Sequence, residues 1–222
     1  MKRLATAIVA AMATANLALA AVERSQDAPT IDIVASNPNG SIQTRAFDIS
    51  ESSNHARGQL FKLDKDKGWK INAITFKKSG GQTFHNASIT LYIFEGTEAQ
   101  WTTGQGHPTS DANVYAGTSV KPLYSETFTL DGLILDGRFV TLRLARPLEL
   151  DRGGDFGFFA IYNRNTNKNP PFFQMFESTG AQRLSLETKS HPSTDARKLL
   201  YYIEGTATEN QRPLGLIIAS AD

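Results

Sequence analysis

The chain has 222 residues, 40% of them hydrophobic, with 23 Lys and Arg against 22 Asp and Glu and no cysteine. So even a charge balance gives no electrostatic reason to expect nucleic acid or anionic lipid as a partner. Without cysteine there are no disulfides, thiol nucleophiles, thiolate zinc sites or N-terminal lipid anchor, and the fold must rest on its apolar core.

The first twenty residues, MKRLATAIVAAMATANLALA, read as a bacterial export signal. Lys2 and Arg3 form a basic start, Leu4 to about Leu17 an apolar stretch, and Ala18-Leu19-Ala20 a small-x-small site, so cleavage is expected between Ala20 and Ala21. Thr6, Thr14 and Asn16 interrupt the stretch, which falls short of the ~20 apolar residues of a membrane span. Removing Lys2 and Arg3 leaves 21 basic against 22 acidic residues, a formal charge of −1. The expected location is secreted or periplasmic, with no membrane insertion after cleavage.

Residues 21–41 are polar and carry Pro29, Pro38 and Gly40, which fits a linker or a loosely attached first strand through Ile31–Val34. From residue 42 to 222 the pattern reads as one domain. No convincing amphipathic helix appears. Period-two alternation recurs instead, closed by Gly, Asn and Asp turns. The expected strands are Thr44–Ile49, Gly58–Leu63, Ile71–Lys77, the run ASITLYIFEG (Ala87–Gly96), Leu123–Leu130, the run RFVTLRLARP (Arg138–Pro147), Phe156–Asn163, Phe172–Phe176, Arg183–Glu187 and Leu199–Gly205. FGFFAIY (Phe156–Tyr162) and LLYYI (Leu199–Ile203) are apolar on both faces and are expected to lie centrally, covered above and below. Asp131-Gly132, Asp136-Gly137, Gly80-Gly81 and Gly153-Gly154 supply turns. The expected fold is all-β: a two-sheet antiparallel jelly-roll β-sandwich.

ARGQLFKL (Ala56–Leu63), INAITF (Ile71–Phe76) and ASITLYIFEG resemble the opening strands of a jelly-roll domain common in secreted bacterial proteins. RFVTLRLARPLELDRGGDFGFFAIYN resembles its strand, Pro-containing link and Gly turn before a central strand, and KLLYYIEGTA (Lys198–Ala207) its closing strand. Such domains look like carbohydrate-binding modules and galactose-binding-like sandwiches. The resemblance covers most of Arg45–Ala207 and implies a sandwich fold; no binding residue is carried over by motif.

Catalytic signatures are absent. His55, His85, His107 and His191 show no compact metal spacing, and neither GxSxG nor a phosphate-cradling Gly loop occurs. Asp64-Lys65-Asp66-Lys67-Gly68 has alternating carboxylates before a Gly. Asp64 and Asp66 are therefore weak candidates for a structural Ca²⁺ site, set against a solvated hairpin turn. No other cofactor is expected.

The connection from Glu95 to about Lys121 is long enough to carry function. It places Trp101 and Tyr115 among Gln100, Gln105, Asp111 and Asn113. An exposed aromatic face stacks on a pyranose while amides and carboxylates bond its hydroxyls. Alternatively Trp101 folds back as a lid over the sandwich end. The segment Asn163–Phe173, with Asn163, Arg164 and Asn167, either lines the same end or is a polar turn. The expected function is a secreted, non-catalytic sandwich that binds carbohydrate or another extracellular polymer. Its rivals are a structural or interaction protein of the envelope or matrix and, third, a polysaccharide-active enzyme.

Overall fold

Alternating side chains make strands with two different faces, and here both faces of the central strands are buried. The computed structural model describes residues 20–34, 42–45, 48–49, 54–79, 82–83, 87–102, 115, 118–130, 134–135, 139–164, 174–186 and 193–209. In chain order the strands are β1 (Ala21–Ser25), β2 (Ile42–Arg45), β3 (Asp48–Ile49), β4 (Asn54–Lys62), β5 (Gly68–Ser79), β6 (Gln82–Thr83) and β7 (Ala87–Glu95). A short helix α1 (Glu98–Thr102) follows. Then come β8 (Lys121–Thr129), β9 (Ile134–Leu135), β10 (Phe139–Leu150), β11 (Asp155–Arg164), β12 (Gln174–Leu186), β13 (Ser193–Leu199) and β14 (Tyr201–Thr208).

One sheet runs β1–β10–β5–β14. The other runs β8–β7–β11–β4–β12, with β2 and β13 both paired to β12. The end of β5 also pairs with the start of β12, Ser79 opposite Gln174 and Lys78 opposite Met175, so the two sheets are stitched at one corner. Every pairing is antiparallel, and the chain is an all-β two-sheet sandwich.

The main core lies between the sheets. Ile71, Ile74, Phe76, Val140, Leu142, Tyr201 and Ile203 face it from the first sheet, and Phe61, Ile89, Leu91, Ile93, Phe156 and Phe158 from the second. Alternation then places Phe159 and Ile161 of β11, with Tyr92 and Phe94 of β7, on the outer face of the second sheet. There they form a second cluster with Leu60, Trp101 and Val120, against which Tyr115 packs. The two-faced apolar run of β11 is thereby accounted for, whereas LLYYI, expected to be central, enters β14 at the edge of the first sheet, where Tyr202 is buried on the outer side edge-on to Phe139 (5.7 Å). Gly157 is required by the same layer, because a Cβ there would lie 2.2 Å from the Phe94 ring.

Several boundaries differ from the sequence pattern. Phe172–Phe176 and Arg183–Glu187 join in the single strand β12. β10 continues through Pro147, because the register shifts between Arg143 and Leu148 and the proline's missing N–H falls in that irregularity. The first strand lies at Ala21–Ser25 rather than Ile31–Val34. Its polar sequence signals little because only one side of β1 has a partner strand. The pairs Gly80-Gly81, Asp131-Gly132 and Asp136-Gly137 lie outside the described residues, as does the segment 1–19.

The Ile31–Val34 segment protects the edge of β14. Ile33 N–H donates to Ile203 O (3.0 Å) and the Asp32 carboxylate accepts from Ile203 N–H (3.2 Å) and Val34 N–H (3.3 Å). Both polar groups of an edge residue are thus consumed, which blunts strand-to-strand association. Asp32→Ala is expected to lower stability by about 1–2 kcal/mol. Amide exchange at Ile203 should accelerate in the variant; unchanged protection would refute the capping role.

β1 is held by charge. The Arg143 guanidinium donates to both Glu23 carboxylate oxygens (2.5 and 2.8 Å) and to Glu204 (3.4 Å). The hydrogen bond from Arg143 holds the Glu23 carboxyl below its ordinary value of 4.5. A group with a depressed folded pKa contributes stability that is present above its unfolded value and lost as pH falls through the folded one. Thermal melts at decreasing pH should therefore show a loss below about pH 4.5 that is smaller in Glu23→Gln.

Candidate functional site

The site is built where three connections meet at one end of the sandwich. The β4–β5 turn is an Asx turn: Asp66 N–H donates to the Asp64 carboxylate (3.0 Å), and Lys67 Nζ pairs with the same group (3.4 Å). These contacts hold the exposed Asp64 carboxyl below its ordinary value, the backbone N–H of Asp66 being the largest cause. Asp64 O accepts the indole N–H of Trp69 (3.0 Å), which ties the turn to the core edge.

The β10–β11 turn lies against it. Gly153 N–H donates to Lys67 O (2.8 Å) and Leu63 N–H to Gly154 O (3.0 Å). A Cβ at Gly153 would stand 2.0 Å from Asp64 O, so only glycine allows the two turns to touch.

The third connection leaves β7. Gly96 N–H donates to Asp155 O (2.9 Å), and α1 then begins with a capping box. Thr97 Oγ1 accepts Gln100 N–H (3.4 Å) while Gln100 Oε1 accepts Thr97 N–H (2.9 Å). The sequence pattern missed this helix, which is too short to show amphipathic periodicity; the T-x-x-Q spacing of Thr97-Glu98-Ala99-Gln100 is the one local signal that could have found it.

Between these connections lies an open cleft of about 640 Å³, within the usual range for small-molecule and oligomer sites. Lys65, Asp66, Glu95, Thr97, Lys121 and Arg152 bring the side-chain chemistry, and Gly96, Gly153 and Gly154 the bare backbone. Glu95 pairs with Lys121, its register partner on the neighbouring strand β8 (3.3 Å), and Asp155 pairs with Lys62, its register partner on β4 (3.1 Å). A smaller cavity of about 230 Å³ adjoins it, sharing Gly96, Thr97 and Asp155, with Leu60, Phe61 and Phe156 as an apolar wall. Glu95 and Lys121, the ends of the long connection singled out by its length, thus both reach the cleft.

The residues nominated within that connection are placed differently. Trp101 is 0% exposed: its ring stacks on Phe94 (5.3 Å, 11°) and tilts against Phe159 (5.1 Å). Of the two alternatives for Trp101, this geometry matches the indole folded back as a lid, here over the outer face of the second sheet, and not the solvent-facing stacking platform. α1 carries Trp101 inward because its apolar partners on β7 and β11 offer a large apolar surface to cover. Tyr115 sits beside it, edge-on to Tyr92 (5.9 Å) and Phe94 (6.1 Å), with its hydroxyl donating to Ile93 O (3.4 Å). Burial pushes this phenol above its ordinary value.

Gln105, Asp111 and Asn167 lie outside the described residues. Asn163 and Arg164 end β11, opposite Ser88 and Ala87. Asp155 lines the cleft from the other end of this ten-residue strand, roughly 30 Å away along an extended chain. The structure therefore brings Trp101 and Tyr115 into one cluster, while Asn163 and Arg164 end β11 opposite to its cleft-lining end. Of the two cation candidates, Asp66 lines the cleft while Asp64 is committed to its turn. Among the described residues no three His, Cys, Asp or Glu side chains converge in a metal-binding group. Lys65, Lys121 and Arg152 carried no motif, because the cleft joins turns that are distant in sequence.

No protein-family model matches the chain, and no curated protein does. One solved structure with a related chain path contains the cysteine protease and lectin-like domains of Cwp84, a surface layer associated protein of Clostridium difficile. The likeness has a TM-score of 0.43 and 10% identity, covering 69% of this chain and 32% of that one. The chain thus spans about a third of that structure's length. Among the described residues no helix is long and apolar enough to cross a membrane.

Proposed function

We propose that this chain is an exported, non-catalytic β-sandwich whose end cleft binds an extracellular polysaccharide. The observation that carries the reading is the cleft itself: an open groove of about 640 Å³ whose polar groups stand on hydrogen-bonded turns. Preorganised donors and acceptors bind hydroxyl-rich chains at little conformational cost. Carboxylates and the Thr97 hydroxyl accept or share hydroxyl protons, while lysines and Arg152 donate. Export fits the basic, apolar and small-x-small order of the first twenty residues.

A glycan array followed by titration calorimetry tests the reading. Binding to at least one polysaccharide, weakened at least about tenfold by Lys121→Ala together with Thr97→Ala, is the expected result. Retention on no glycan would overturn it. A polysaccharide-cleaving enzyme is the second reading, favoured by the presence of Asp66, Glu95 and Asp155 in one groove. Release of reducing ends that Glu95→Gln abolishes would establish that reading instead.

A further inference from the structure

The charges of the cleft do not cancel pair by pair. Glu95 is matched by Lys121 and Asp155 by Lys62. Lys65 and Arg152 also line the cleft, both exposed, and neither has an ion pair or side-chain hydrogen bond with any described residue. They stand on the two turns that Gly153 N–H and Lys67 O join (2.8 Å), so hydrogen-bonded backbone holds the two residues on neighbouring turns. Asp66 is the one lining carboxylate without an ion pair among the described residues, and Asp151 beside Arg152 does not line the cleft. Two unmatched cations thus face one unmatched carboxylate.

Resting on the polysaccharide reading, we infer that the cleft selects an acidic polysaccharide, one bearing ring carboxylates of the uronate type. Arg152 offers a planar fork that binds a carboxylate through two parallel N–H bonds, and Lys65 adds a point charge on the neighbouring turn. Bare, half-buried backbone at Gly154 leaves room for a sugar ring to approach beside it. Thr97 and the Glu95 carboxylate, on the opposite connection, are placed for the ring hydroxyls.

Polygalacturonate and its fully methyl-esterified form present the same sugar chain with and without charge. Calorimetric titration should give at least about tenfold tighter binding of the free acid, falling as salt is raised. Lys65→Glu with Arg152→Glu should erase that preference, and a thermal melt of the variant checks that the exposed substitutions leave the fold intact. Equal binding of both polymers would overturn the acidic preference and leave the polysaccharide reading standing. Tight binding of the free acid that the double variant does not weaken would also overturn it. Binding of neither polymer, with another glycan retained, removes the inference alone; binding of no glycan removes both.

Discussion

Trp101→Ala is expected to cost about 3–5 kcal/mol, the usual range for deleting a fully buried large aromatic. The indole is 0% exposed and lies between Phe94 and Phe159, with Leu60, Val120, Ile161 and Tyr115 completing its surroundings. Against a typical domain stability of 5–15 kcal/mol, that loss is a large share of the total. Urea denaturation measures it. A buried ring also predicts that Trp101→Phe retains most of the stability, since stacking on Phe94 survives. If Trp101 instead served a ligand, the Ala variant would keep its denaturation midpoint and lose only glycan affinity.

Phe158→Ala is expected to cost a similar ~3–5 kcal/mol, but for a different reason. Phe158 projects from β11 in the second sheet and meets Phe76 of β5 (5.6 Å, 65°) and Tyr201 of β14 (5.0 Å, 62°) in the first. Phe61 of β4 lies beside it at 6.4 Å. The ring therefore spans the interface between the sheets, and edge-to-face contacts add to its area burial. With Phe156 and Ala160 on the same face, β11 supplies the middle of the main core. Truncation should lower the denaturation midpoint without altering the slope, since the same surface unfolds. The two substitutions strike separate clusters, so their costs should add within about 0.5 kcal/mol. A strongly non-additive double variant would show that the layers on either side of β11 are coupled through its backbone.

Most strands were legible because alternation is a local consequence of pleated backbone. Ile89, Leu91 and Ile93 announced the inward face of β7, and FGFFAIY announced a strand covered on both sides. β1 escaped because its Ala-Val-Glu-Arg-Ser sequence is that of an edge strand, held by Glu23 and Arg143 rather than by a wide apolar face. β13, Ser193–Leu199, escaped for a like reason: most of its side chains are polar.

The site was far less legible. A long connection bounded by Glu95 and Lys121 stood out by its length, while the Trp101 inside it left a solvent-facing and a folded-back position both open. Aromatic residues in loops look alike in sequence whether they face solvent or a sheet. Only the pairing of β7 with β11, strands far apart in the chain, creates the outer patch of Phe94 and Phe159 that buries Trp101.

By itself, then, the order of residues determined an all-β chain with no thiol chemistry, its central two-faced strand β11 and the Gly153-Gly154 turn. Those follow from periodicity, composition and backbone preference, which act over a few neighbouring residues. Tertiary structure alone decided that Trp101 is core, that Asn163 and Arg164 stand at the far end of β11, and that Lys65, Glu95, Lys121 and Arg152 share one cleft. The reason is physical: burial and charge matching depend on which surfaces meet, and antiparallel pairing brings together turns separated by tens of residues.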